Sequence, residues 1–352
     1  MDRKRIAITL AAFSSLTVLT PAAQAAAGVT VSVTAERQTL GKSDEVAVVV
    51  TMTNTSAATE YLLAWQTPFG AVEAPLFEVT RDGQPVPYLG RQVKRAAPTP
   101  ADYIALAPGA SRSVRVELSS LYAMGTTGAY SIRYRDGALQ LFSRPGVAHA
   151  LAETSAQPAS VWIDGHLGRG QSEALALPDS GASLTFSQCS NPQQQTITSA
   201  VAAAQAMATD GEAYMQQKTL GPRYTTWFGA IQTERAMTVA RHFVAIKDAF
   251  ATKPVTVDCG CQESYYAYVY PNQPYKIYVC NAFWSAPLTG TDSKGGTLVH
   301  EMSHFTVVAG TDDWAYGQSA AAALAISNPA RAVDNADTHE YFSENTPQQN
   351  LR

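Results

Sequence analysis

Val299-His300-Glu301-Met302-Ser303-His304-Phe305 is the stretch on which the reading of this chain turns. It is an H-E-x-x-H segment flanked by apolar residues. On a helix, positions i and i+4 share a face, with Cβ atoms about 5–6 Å apart. Two imidazoles so placed can aim their nitrogens at one Zn²⁺, and the glutamate after the first histidine can reach a water on that ion as a general base. Zinc lowers the pKa of such a water to about 7, which makes it a nucleophile at neutral pH. The spacing predicts a helix over residues 294–306. A catalytic zinc of this type takes a third protein ligand, which the motif itself does not supply.

Three sources for that ligand are open. A third histidine in the metzincin pattern would need glycine at 307 and histidine at 310, and the chain has Val307 and Gly310. A downstream glutamate is available at Glu340 or Glu344. Nearer lies Gly310-Thr311-Asp312-Asp313-Trp314-Ala315-Tyr316-Gly317. Gly310 can end the motif helix and turn the chain back, and on chemistry alone either Asp312 or Asp313 can return to the metal.

H-E-x-x-H followed by G-T-x-D-x-x-Y-G resembles the signature of the aspzincin metalloendopeptidases, the family of deuterolysin and the peptidyl-Lys metalloendopeptidases. The resemblance covers about residues 185–352, and no motif position is broken. It implies a zincin-type domain, mainly α with a small β-sheet, holding one catalytic Zn²⁺ on His300, His304 and Asp313. It implies Glu301 as general base and later proton donor, and Tyr316 as the phenol that stabilises the tetrahedral oxyanion.

Asp337 and Glu340 lie on a helix predicted over residues 329–344 and share a face at i, i+3. Two carboxylates in one pocket favour a lysine ammonium over an apolar side chain. In the peptidyl-Lys members an aspartate and a glutamate at matching positions line the pocket just after the scissile bond. Cleavage on the N-terminal side of lysine is therefore expected, with lysine-containing proteins or peptides as substrates. The alternatives are a solvated acidic face, or Glu340 on the zinc. His339, between the two carboxylates, is expected to be structural.

The rest of the chain frames this site. Its 352 residues suggest two domains. With 46% hydrophobic and 15% charged residues it is globular, which excludes a disordered chain. A net charge of −4 argues against binding driven by nucleic-acid phosphates. Residues 179–352 carry 15 acidic against 10 basic side chains, so a positively charged partner is expected there. Helical periodicity is also predicted over residues 196–217, 231–252 and 314–327.

Residues 28–135 alternate with period two, as in Val29-Thr30-Val31-Ser32-Val33, and are punctuated by Asp82-Gly83, Pro108-Gly109 and Asp136-Gly137. Short strands at such intervals predict an all-β immunoglobulin-like sandwich. His149 and His166 look isolated and non-catalytic. The expected domains are a signal peptide at 1–25, the sandwich at 26–142, a linker containing the processing site at 143–180, and the catalytic domain at 181–352. One strand, at Val161-Trp162-Ile163, is expected in the linker.

The signal peptide reads from Arg3-Lys4-Arg5, an apolar run from Ile6 to Leu19, and Ala23-Gln24-Ala25. Export, no membrane association after its removal, and a monomer are expected. In an oxidising compartment the four cysteines should pair. A bridge between Cys259 and Cys261 would be strained, leaving two crosswise connectivities. The resemblance implies Cys189–Cys259 and Cys261–Cys280.

Secreted bacterial relatives resemble this layout, which implies a zymogen whose β-rich prodomain is an intramolecular inhibitor. Gly90-Arg91-Gln92-Val93-Lys94-Arg95-Ala96 is a basic loop, and Lys94 or Arg95 could occupy the pocket of Asp337 and Glu340. The competing readings are a solvated loop, a protease of broader specificity whose sandwich is a permanently attached binding module, and a non-catalytic zinc-binding adhesin.

Overall fold

The structure is a computed structural model, and it describes residues 28–41, 44–155, 157–166 and 181–349. The expected signal peptide and residues 167–180 of the expected linker lie outside the described residues. The chain forms a β-rich region ending at His166 and a mainly helical region beginning at Ser183, each with its own hydrophobic core.

Period-two alternation builds the β-rich region. In Val29–Ala35 the three valines are buried while Ser32 and Thr34 face solvent. Ala47–Asn54 pairs antiparallel with this strand and with Ser111–Glu117. A second sheet has the order Thr39–Leu40, Ala159–His166, Thr126–Tyr134, Phe77–Arg81, Gln84–Pro85. A third has the order Val147–Leu151, Gln140–Arg144, Glu60–Leu63, Tyr103–Leu106. Asp82 and Gly83 join Phe77–Arg81 to Gln84–Pro85 with φ of 49° and 81°, the left-handed pair that a two-residue hairpin requires.

Where a linker with one strand at 161–163 is expected, residues 143–166 contain that strand and two more. Val147–Leu151, Glu153–Thr154 and Ala159–His166 complete all three sheets, and Val161 and Ile163 enter the core. Val147–Leu151 is exposed at nearly every position and so carries no two-residue alternation. His149 is not isolated either, since its Nε2 lies 2.7 Å from Glu60 Oε2.

The helical region comprises α1 (Asn191–Met215), α2 (Pro222–Phe228), α3 (Thr233–Thr252), α4 (Asn281–Ser285), α5 (Lys294–His304), α6 (Gln318–Ser327), α7 (Pro329–Val333) and α8 (Ala336–Glu344). Helix α1 starts earlier than its periodicity predicts, because Ser190 and Gln193 form a capping box with a proline in the first turn. Helix α5 is buried at every residue. Its first turn is capped by Ser293 Oγ, which accepts from Gly296 N at 2.9 Å. Gly295 and Gly296 let neighbours close in, since a side chain at Gly296 would strike the Glu344 carboxylate.

The sheet beside α5 runs Ser183–Ser187, Pro254–Asp258, Lys276–Val279, Ala267–Val269, and its last strand comes from the β-rich region. That strand, Gln92–Lys94, lies antiparallel to Ala267–Val269 with Lys94 opposite Ala267 and Val93 opposite Tyr268. Disulfides join Cys189 to Cys259 and Cys261 to Cys280, the pairing that the resemblance implies. Among the described residues no helix is long and apolar enough to cross a membrane.

The single helix predicted over 329–344 is interrupted. Helix α7 ends at Val333 and α8 begins at Ala336. In the break, Asp312 N donates to Asp334 O at 2.7 Å and Ala336 N donates to Asp312 O at 2.9 Å. The loop that follows α5 is thus docked on backbone groups that a continuous helix would have used internally.

Candidate metal centre

Helix α5 presents His300 and His304 one turn apart, both fully buried, with their Nε2 atoms 3.1 Å from each other. Gly310, at φ 62°, turns the chain back. Thr311 then closes onto the helix, donating its N–H to Ser303 O at 3.1 Å, with the two hydroxyls 2.6 Å apart. Asp313 follows. Its Oδ1 lies 3.2 Å from His300 Nε2 and its Oδ2 3.4 Å from His304 Nε2.

These separations test the fit of a metal. Ligand atoms around a tetrahedral zinc at about 2.0–2.1 Å stand about 3.3 Å apart. His304 Nδ1 donates to Thr311 O at 2.7 Å, which leaves the Nε2 lone pair for the ion. His300 Nδ1 lies 2.9 Å from Asp337 Oδ1, a carboxylate placed behind the imidazole. The cluster suits a single catalytic zinc ion.

The other candidate ligands point elsewhere. Asp312 Oδ2 lies 2.5 Å from Arg135 Nη2 of the β-rich region, and its Oδ1 accepts from Gln92. Glu344 accepts from Ser293 N and Oγ, both at 2.8 Å, and so braces the start of α5. Glu340 faces the Nδ1 edge of His300, away from the metal edge.

Glu301 is buried in α5, and neither of its carboxylate oxygens has a hydrogen-bond partner. Burial pushes its pKa up to about 7, against the pull of His300 and His304. A buried carboxylate left bare is costly, so this one is placed to meet a water or a reacting group. Tyr316 is set by Asn335, whose Oδ1 accepts from Trp314 N at 2.8 Å and Ala315 N at 3.0 Å. The Tyr316 phenol donates to the carbonyl oxygen of Val93 at 3.0 Å.

Asp337 and Glu340 share a fully buried pocket on α8, and a lysine fills it. Lys94 Nζ donates to Asp337 Oδ1 at 2.9 Å, stands 2.7 Å from Glu340 Oε2, and reaches Asp292 Oδ1 at 3.4 Å. Burial opposes the charge on Lys94, but Asp337 and Glu340 outweigh it and raise its pKa well above the ordinary lysine value. One ammonium does not neutralise both carboxylates equally. Burial would raise Asp337, but Lys94 and His300 hold it below its ordinary value. It also accepts from Gly317 N at 2.6 Å. Glu340 lacks that backbone donor, and burial leaves it raised.

Arg95 does not enter the pocket. Its guanidinium pairs with Glu73 and lies 4.5 Å from the centre of the Tyr265 ring. Arg91 pairs with the same Glu73. His339 is buried against Phe228 and Phe243, donates Nδ1–H to Asn335 O at 2.9 Å, and has its Nε2 3.0 Å from His242 Nδ1. Burial lowers His339 to about 3 and His242 to about 4, so both are neutral structural groups. Sequence reasoning missed Asn335, Asp292 and Glu73. Each is a single polar residue outside any motif, brought to the site only by tertiary folding.

A family model described as lysine-specific metallo-endopeptidase matches residues 213–344. An extracellular protease of Aeromonas hydrophila is 47% identical over 315 residues, spanning 88% of this chain and 91% of that relative. A peptidyl-Lys metalloendopeptidase of Grifola frondosa is 38% identical over 319 residues, spanning 86% of this chain and 88% of its own. One from Pleurotus ostreatus is 49% identical over 166 residues, 46% of this chain and 98% of its own length. Likeness along nearly the whole of two relatives, together with two histidines and an aspartate spaced for one zinc ion, places the chain in the aspzincin family of zinc metalloendopeptidases.

Proposed function

We propose that the chain is exported as a zymogen whose helical region cuts polypeptides on the N-terminal side of lysine, and whose immunoglobulin-like β-rich region is the inhibitory prosegment. The observation that carries this reading is Lys94 in the pocket of Asp337 and Glu340 while Tyr316 donates to the Val93 carbonyl. Specificity and latency then rest on one contact. The likeness to an extracellular protease and to peptidyl-Lys metalloendopeptidases supports export and lysine preference, as does the leader-like sequence at 1–25.

His300, His304 and Asp313 would hold the zinc. When bound, zinc supplies a Lewis acid that makes water nucleophilic at neutral pH. Glu301 takes a proton from the attacking water and passes it to the leaving amine. Tyr316 keeps its phenolic proton, because burial raises its pKa well above the ordinary tyrosine value. It therefore donates to the carbonyl oxygen as negative charge gathers there. Asp337 and Glu340 bind the ammonium of the residue after the scissile bond. The strand Ala267–Val269 pairs with the substrate backbone as it pairs with Gln92–Lys94.

The test is mass spectrometry of the secreted protein and of its products from a lysine-rich protein, with and without a zinc chelator. The expected result is an active species lacking the β-rich region, with chelator-sensitive cuts before lysine. An active species that keeps the β-rich region would make that region a binding module. Cuts elsewhere would remove the role given to Asp337 and Glu340.

A further inference from the structure

The loop that blocks the cleft is held like a substrate at its own peptide bond. Lys94 sits in the lysine pocket, and the carbonyl preceding it accepts from Tyr316. The two residues belong to one strand in register with Ala267–Val269, and Tyr266 N donates to Lys94 O at 3.1 Å. Both carboxylate oxygens of Glu301 are without a hydrogen-bond partner nearby in the same buried site. The bond presented is a Xaa–Lys bond, the type that the proposed function cuts.

The flanks of that bond are tied together. Arg91 lies on its N-terminal side and Arg95 on its C-terminal side, and both pair with the carboxylate of Glu73. Tyr265 of the helical region donates to the same carboxylate at 2.9 Å. Further out, Thr99 and Asp102 cap the turn after Arg95, and Tyr103–Leu106 pairs with Glu60–Leu63. Pieces on the two sides of the bond are thus joined by Glu73 and by sheet pairing.

Resting on the proposed function, we propose that Val93–Lys94 is a self-cleavage site whose cut ends are retained by Glu73, so that the nicked chain stays latent. In the cut, the oxygen of one water bonds to the Val93 carbonyl carbon and the C–N bond breaks. One proton of that water moves through Glu301 to the Lys94 nitrogen, and the second leaves the new carboxyl group for the new amine or solvent. Val93 ends as a carboxylate and Lys94 as a new amino terminus. Every cysteine lies C-terminal to the cut, so denaturation alone separates the pieces.

The experiment uses the full chain supplied with zinc, followed in time by intact mass after denaturation and by native gel filtration. Glu301→Gln serves as the uncut reference, and Glu73→Gln and Arg95→Gln as two separate ways to open the clamp, since the Glu73–Arg95 pair spans the cut. Metal-free samples of each are compared by hydrogen exchange over residues 91–95. A reporter peptide with one lysine measures release of the active site. The wild type should yield a piece beginning at Lys94 that co-elutes with the piece ending at Val93. Either clamp variant should exchange faster at 91–95 and cut the reporter about tenfold sooner, equivalent to about 1.4 kcal/mol of clamp. Reporter cut before lysine while Val93–Lys94 stays intact in every sample would overturn this inference and leave the proposed function standing. A cut at Val93–Lys94 with pieces that part equally fast in wild type and both variants would overturn the role of Glu73. No lysine bond cut in any sample, in cis or in trans, would overturn the proposed function itself.

Discussion

Replacing Lys94 by methionine isolates the charge in the contact between the two regions. Methionine keeps an unbranched apolar stem and removes the ammonium. In the wild type that ammonium faces carboxylate oxygens at 2.7, 2.9 and 3.4 Å, and the side chain is fully buried. Breaking a buried ion pair by deleting one partner costs about 3–5 kcal/mol. The low end applies here, because Glu340, already raised by burial, can take up a proton once the cation is gone. A loss of about 3 kcal/mol weakens the intramolecular contact roughly 10²-fold. Lys94→Ala should go further, since each methylene no longer buried forfeits about 0.8 kcal/mol more. The assay is the initial rate at which the unprocessed, zinc-supplied chain cuts a quenched peptide containing one lysine. Neither variant offers a lysine bond at residue 94 to be cut, so a rising rate reports opening of the intact contact alone. Lys94→Met should raise it about 10²-fold over the latent wild type, with Lys94→Ala above that. If Lys94→Met remains as latent as wild type, and residues 91–95 stay as protected from hydrogen exchange, the pocket contact is not what blocks the cleft.

Three further outcomes follow from the same geometry. Tyr316→Phe in the processed enzyme should lower kcat about 10²–10³-fold with little change in KM, as loss of one oxyanion donor does; an unchanged kcat would remove Tyr316 from the reaction. Asp313→Asn should lose zinc by metal analysis after dialysis, whereas Asp312→Asn should retain it and weaken the contacts with Arg135 and Gln92. Burial holds the folded-state pKa of His339 near 3, below the ordinary 6.5, so the unfolded chain binds a proton first as pH falls. The stability this neutral histidine contributes is whole above pH 6.5 and declines below it by up to about 1.4 kcal/mol per pH unit. His339→Phe should therefore gain on wild type in denaturant unfolding between pH 7 and pH 5, and a constant difference would refute the assignment.

The parts of this molecule that were legible in its sequence are those whose signal is local. H-E-x-x-H is one helix turn, and Gly310 is placed to turn the chain back, while the choice of Asp313 over Asp312 comes from the family resemblance. The valine alternation of residues 29–33 has one structural meaning. The strand Val147–Leu151 was hidden because it is exposed at nearly every position and so carries no two-residue alternation, whereas the strand expected at 161–163 turns Val161 and Ile163 into the core. The break between α7 and α8 was hidden for a different reason. Residues 329–344 keep helical spacing throughout, and only the docking of Asp312 on Asp334 and Ala336 takes the backbone away from the helix. Between Lys94 and Arg95 the sequence offered no choice. Strand register decides it, placing alternate residues on opposite faces, so that Lys94 turns into the pocket while Arg95 turns to Glu73.

Under the proposed function, that alternation also binds latency and specificity to the same two carboxylates. A pocket made of buried Asp337 and Glu340 is selective because it is unfavourable without a cation: two acids without a counter-charge cannot both stay ionised there. Any occupant must therefore bring a positive charge on a stem long enough to reach them, and a strand that pairs with Ala267–Val269 delivers that charge at one register only. Asp337 is constrained twice over, because it also stands behind His300 at 2.9 Å. A substitution that relaxed the pocket toward apolar side chains would loosen Lys94 to the same degree, and at Asp337 it would disturb a metal ligand as well. Under the proposed function, position 94 is consequently restricted to lysine for as long as the protease prefers lysine in its substrates.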